Sequence, residues 1–208
     1  MSKAKDFLLS ALLWFYFRAG VMRFWSNLYA LIWQRKTRNT PLKRFESLSD
    51  LVSYIRTLKW RADSWRELWD ATSSIGHIQW RADNEPEKFI GDCDEFGRYS
   101  AAVMRNELQN NTRSALGIET TYLLTVMWKN KGEPGSTDHA GYGGHNVNLI
   151  KFRDGTWAYM DYGWPSTRVD TIAEVVQKVR DAQANSWEPL IYAWHDPLTL
   201  KNMGCVRG

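Results

Sequence analysis

The segment Phe89-Ile90-Gly91-Asp92-Cys93-Asp94-Glu95-Phe96 governs the reading of this chain. Beyond the cysteine, Phe96, Tyr99, Val103 and Leu108 recur near one face of a helix. Cys93 therefore stands at a helix start, where orphan backbone N–H groups and the positive end of the helix dipole favour an anion. A thiolate gains from the same field, so the position predicts a free thiol of low pKa. Asp92, Asp94 and Glu95 favour helix initiation but oppose ionisation of the sulfur. A nearby imidazolium has to outweigh them. Gly91 permits close backbone approach just before the thiol. The second cysteine, Cys205, leaves a single disulfide as the alternative, but the two have no paired spacing and make no credible zinc set. No metal or cofactor is expected.

Downstream, Thr120 to Trp128 reads as a strand, rich in β-branched and aromatic residues. Residues 129–144 hold five glycines and a proline and read as a long loop. Residues 145–152 and 156–162 then form a hairpin around Asp154-Gly155. His145 opens the first of these strands and suits a general base. Asp161 lies at the end of the second, where it can accept from the far nitrogen of the imidazole and fix its tautomer. Asp154 and Asp170 are the competing acids. The pairing is sensitive to register. A two-residue turn puts Asp161 on the opposite face from His145, whereas a three-residue loop, Arg153-Asp154-Gly155, pairs Val147 with Asp161 on the face of His145. Gly155 would then take the left-handed position of a G1 bulge. For the oxyanion hole, the N–H of Cys93 is one donor and Gln79 or Trp80 supplies the second. His77 and His195 read as structural. His139 sits in the glycine-rich loop as a solvated residue within reach of a substrate.

Three stretches together carry a resemblance. Gly91-Asp-Cys-Asp-Glu-Phe96, Gly144-His-Asn-Val-Asn-Leu149 and Trp157-Ala-Tyr-Met-Asp161 resemble the transglutaminase-like cysteine peptidases of bacteria and their phages. Trp80 to Asp83 and Pro86-Glu87 look like that family's lead-in to the cysteine. The likeness covers roughly residues 75–165. Gly97 stands where the family often has alanine, and the lead-in is short. The resemblance implies an α+β fold of papain/transglutaminase-like type, in which a nucleophile helix packs on an antiparallel sheet. It also implies Cys93, His145 and Asp161 as a triad for acyl transfer on a protein or peptide substrate. Hydrolysis by a thiol protease or amidase is the favoured outcome, with crosslinking as the variant in which an amine accepts. The competing expectation is an assembly protein, such as a phage particle component, built on the same scaffold.

The remaining sequence sets the frame. With 44% hydrophobic and 24% charged residues, the chain is not disordered as a whole. Residues 1–44 carry nine basic residues against the single acid Asp6, a net +8 in a chain whose total is +4. No nucleic-acid signature accompanies that charge. Residues 6–34 read as an aromatic helix that Gly20 kinks or divides. Its apolar part suits a contact of residues 7–33 with the domain's own core or another protein rather than lipid, so membrane contact is not expected. No cleavable signal or spanning segment is recognised, and a cytoplasmic or phage-particle location is expected. Residues 35–45 read as a polar linker, giving an N-terminal segment 1–44 and a catalytic domain 45–208. Within the latter, Ser47 or Ser49 caps a helix with Leu51, Tyr54, Ile55 and Leu58, and a second helix runs through Trp65, Leu68 and Trp69. Thr171 to Ala184 reads as a helix and Leu190 to Trp194 as a last short strand.

Overall fold

A computed structural model describes residues 3–60, 72–85, 87–130, 141–183 and 187–208. The expected helix through Trp65, Leu68 and Trp69, and His139 in the glycine-rich stretch, lie outside these residues. The N-terminal apolar run forms two helices, α1 (Lys3–Arg18) and α2 (Val21–Trp33), bent by 55° about Gly20. Gly20 takes φ +77°, a left-handed conformation in which it pays no Cβ penalty, and it divides the helix as its place in the sequence suggests. Helix α3 (Leu48–Thr57) starts at Ser47, whose hydroxyl accepts from the Asp50 N–H. A two-residue strand β1 (Lys59–Trp60) precedes α4 (Ile75–Asn84), which is capped by Ser74. Then follow β2 (Phe89–Gly91), α5 (Cys93–Asn106) and α6 (Asn110–Ala115). Strands β3 (Ile118–Asn130), β4 (Gly141–Phe152), β5 (Trp157–Asp161) and β6 (Trp164–Pro165) lead to α7 (Ile172–Gln183), β7 (Trp187–His195) and β8 (Asn202–Arg207).

The fold is α+β. Six strands form an antiparallel sheet in the order β6-β5-β4-β3-β7-β8, and β1 and β2 make a separate parallel pair. Alternation along the strands divides the core between the two faces. On one face, Phe96, Tyr99 and Val103 of α5 pack on Ile150, Phe152 and Met160. On the other, Val175, Val176 and Val179 of α7 cover Leu124, Val126, Val147 and Leu149. Each aliphatic side chain buried this way contributes about 1.5–3 kcal/mol.

Residues 1–44 dock onto the sheet. Phe17 and Met22 join Leu123, Ile191, Ala193 and Leu200 in a third cluster on the α5 side. Asp6 pairs with Lys129 at 2.6 Å and accepts from the Tyr142 hydroxyl at 2.9 Å, while Arg207 donates to Ser10. The stretch read as a linker also packs down. Gln34 Oε1 accepts from the Ser74 N–H, and Thr37 Oγ1 lies 2.7 Å from His77 Nδ1. Gly76 passes so close that a Cβ there would fall 2.3 Å from the Arg38 carbonyl oxygen.

Two sequence expectations are corrected. Residues 129–130 and 141–144, read as loop, are strand. Gly143 pairs with Trp128, and a Cβ on it would sit 2.7 Å from the indole Nε1. The glycine thus leaves room for a ring to lie across the strand, a use that composition does not reveal. The C-terminal element is also larger: β7 runs from Trp187 to His195, and β8 was missed because Gly204 interrupts its pattern. A Cβ at Gly204 would fall 2.0 Å from the Trp194 ring, so again glycine serves an aromatic neighbour.

Candidate active site

The start of α5 is fixed by a reciprocal cap. The Asp92 carboxylate accepts from the Asp94 N–H at 3.1 Å, and Glu95 Oε2 accepts from the Asp92 N–H at 3.3 Å. Glu95 Oε1 also accepts from the Ser73 N–H at 2.9 Å. Gly91, at φ +138°, lies against this carboxylate, and a Cβ there would meet Glu95 Oε2 at 2.4 Å. One turn on, buried Arg98 donates to the carbonyls of Thr72, Ser73, Pro197 and Leu198. The oxygens of Asp92, Asp94 and Glu95 lie within 4.8 Å of one another. Capping accounts for the Asp92 and Glu95 carboxylates without an ion.

Cys93 is the first residue of α5, and its thiol is free. Gly97, one turn later, lets the helix approach the sheet: a Cβ there would be 3.1 Å from the Val147 nitrogen. The departure from alanine at this position thus has a packing reason. The thiol consequently lies at β4, where Asn146 Nδ2 is 3.7 Å from Sγ and the Asn146 backbone N–H also donates to sulfur. Strand β5 pairs with β4 only as far as Asn148–Met160, so the edge of β4 is open at this point. Asn146 Oδ1 accepts from the Thr125 hydroxyl at 2.5 Å, which fixes the amide with its NH₂ toward the thiol.

His145 is the neighbour of Asn146 and is buried. Its Nε2 lies 3.0 Å from both Oδ1 and Oδ2 of Asp161. The hairpin register that this requires is present. Phe152 N–H donates to Thr156 O, Asn148 pairs with Met160, and Gly155 adopts φ +89°. The loop is therefore three residues long, and extending the register sets Asp161 opposite Val147, on the face of His145. The competing acids are elsewhere. Asp154 is bound to Thr156 and Arg168, and exposed Asp170 lies beside Glu174.

Tyr162 completes the cluster and has no counterpart in the sequence reading. Its φ of +45° is uncommon for an aromatic residue and marks local strain. The ring meets Phe96 edge-on at 4.7 Å and His145 at 5.8 Å. Burial raises its phenol pKa, and the nearby Asp161 carboxylate adds to this. Arg56 of α3 holds the turn, donating to the Gly163 carbonyl and stacking 3.6 Å over Trp164.

The electrostatics overturn one expectation. Burial pushes the Cys93 thiol up to about 12, Asp94 and Asp92 add to this, and the two Asn146 donors oppose it. Helix-start stabilisation is outweighed by desolvation and by the cap's own carboxylates, so the resting thiol is neutral rather than of low pKa.

The upstream oxyanion candidates are engaged elsewhere in the structure. Gln79 is fully engaged: Oε1 accepts from the Tyr99 hydroxyl and the Lys43 N–H, and Nε2 donates to Tyr54 and Asp83. Trp80 is partly exposed and stacks on the His77 ring, 5.9 Å away and 13° from parallel. Asn146, which the sequence reading did not single out, is the side-chain amide that lies beside the thiol, and its place next to His145 in the chain is the signal that could have found it. His77 bonds Thr37, and burial lowers its pKa. His195 is enclosed against Phe17, and burial takes it down to about 4. A cleft of about 450 Å³ between α2 and α4 has Arg38, Ser74 and Gly76 in its wall and none of Cys93, His145 or Asp161.

Nothing among family models, curated proteins or solved structures matches this chain. The functional reading therefore stands on the motif and on the geometry of this cluster.

Proposed function

We propose that the protein is a cysteine-dependent acyl transferase of papain/transglutaminase-like type acting on amide carbonyls, with hydrolysis as the favoured outcome. The observation that carries the reading is the His145–Asp161 pair, with both carboxylate oxygens at 3.0 Å, beside the Asn146 that grips Cys93. Nε2 faces Asp161, so proton exchange with sulfur is assigned to Nδ1; the observed link between His145 and Cys93 is Asn146, next to His145 in the chain and bonded to Sγ. The Cys93 proton passes to Nδ1 as sulfur attacks the carbonyl carbon, and Asp161 stabilises the imidazolium. The Cys93 N–H and Asn146 Nδ2 donate to the developing oxyanion. Nδ1–H then protonates the leaving amine, which departs as the thioester forms. Water, deprotonated by Nδ1, attacks the thioester and releases the acid and the thiol; an amine in its place gives a crosslink.

The test is acylation by a small activated ester. Mass mapping should find the acyl group on Cys93 in the wild type, slow turnover of that thioester, and no label at this position in Cys93→Ala. An ester that labels Cys205 or surface lysines while leaving Cys93 unmodified would sink the proposal.

A further inference from the structure

We propose that α1 and α2 are a docking face for an anionic phospholipid bilayer, lying on it rather than crossing it. This inference is independent of the acyl-transfer reading. Two polar side chains of α1 are turned toward the sheet: Asp6 is held by Lys129 and Tyr142, and Ser10 by Arg207. Phe7, Leu8, Leu12 and Phe15 point the other way and are each about 60% exposed or more. Helix α2 repeats the pattern, burying Met22, Ser26 and Ala30 and exposing Phe24, Ile32 and Trp33. A helix that is apolar on its outward side calls for a second apolar medium.

Charge selects which medium. Lys5, Arg18, Arg23, Arg35, Lys36 and Arg38 are exposed on or beside the two helices. The only acid among the first 44 residues, Asp6, is consumed inside by Lys129. An apolar, aromatic surface with a purely basic border is complementary to anionic headgroups over an acyl layer. Protein contact was the favoured expectation from sequence, but sequence could not show that the acid faces in and the rings face out. No single helix is long and apolar enough to cross a membrane. The two are bent by 55°, and α1 is bonded along its inner side to the sheet. That arrangement suits an interfacial pose.

The experiment is co-sedimentation of the full chain with vesicles of phosphatidylcholine alone or mixed with phosphatidylserine. Binding should require phosphatidylserine and weaken as salt rises. Phe15→Ser with Ile32→Ser, both at exposed positions, should lower binding at least about tenfold while the Cys93 alkylation rate stays unchanged. Arg35→Ser with Lys36→Ser should cost about fivefold per charge on the anionic vesicles. Absence of binding to phosphatidylserine vesicles would overturn the proposal. So would binding that the double apolar variant leaves intact. Light scattering that shows a wild-type oligomer, dispersed by Phe15→Ser with Ile32→Ser, would also overturn it by assigning the face to a second copy of the chain.

Discussion

Replacing His145 by Ala separates an activated nucleophile from a buried thiol. Without an imidazolium, the Cys93 thiol sits at about 12. At pH 7.5 the thiolate fraction is then about 3 × 10⁻⁵, against about 0.09 for an exposed thiol of pKa ~8.5. The ratio is about 3,000. A more basic thiolate is more nucleophilic, and a Brønsted slope of ~0.4–0.5 returns a factor of about 40. An unassisted Cys93 should therefore alkylate on the order of 10² times more slowly than an ordinary exposed cysteine. In the proposed mechanism, transfer to Nδ1 of His145 lifts that restriction. The assay is pseudo-first-order iodoacetamide labelling followed by peptide mapping, so that Cys205 is counted separately. The wild type should label faster than this unassisted limit at pH 7.5. His145→Ala should label about 10² times more slowly than an ordinary exposed cysteine at pH 7.5 and rise with pH without an inflection below about 11. Equal rates and profiles for the two proteins would refute the assignment of His145 as base.

Four further outcomes are expected. Asn146→Ala should slow Cys93 acylation by an activated ester about 10²-fold yet change alkylation, which forms no oxyanion, by no more than about threefold; parallel losses in both would make Asn146 merely a packing residue. Asp161→Asn should keep the fold, as checked by circular dichroism, and reduce acylation by about 10²–10⁴-fold. Gly155→Ala, at φ +89°, should destabilise by about 1 kcal/mol in urea denaturation without altering Cys93 labelling in native buffer. His195 is a base whose folded pKa, about 4, lies below its ordinary value of 6.5, so its neutral burial is fully tolerated above pH 6.5 and stability falls as pH drops toward 4. The loss should be on the order of 3 kcal/mol across that window, and His195→Gln should flatten the urea-midpoint profile there.

The sequence by itself determined the elements whose physics is local. The helix start at Cys93, a serine cap (Ser47 or Ser49) for α3 and a turn around Asp154-Gly155 follow from short-range hydrogen bonding and φ preferences, whereas the three-residue length of that loop was settled by the hairpin register. With the loop length that the structure adopts, strand alternation sets Asp161 on the face of His145, and the two meet at 3.0 Å. Tertiary structure decided what depends on neighbours distant in the chain. Gly143 reads as a loop residue until Trp128 lies across it, and Gly97 as a departure until the helix closes on Val147. Gln79, an upstream candidate donor in the sequence, is spent on Tyr99, Tyr54, Lys43 and Asp83 from other elements, whereas Asn146 is brought to the thiol. The thiol is neutral because its desolvation comes from the assembled sheet and helices, a quantity no local motif encodes. Asp6 faces inward for the same reason: its partner Lys129 is brought to it only when the sheet forms.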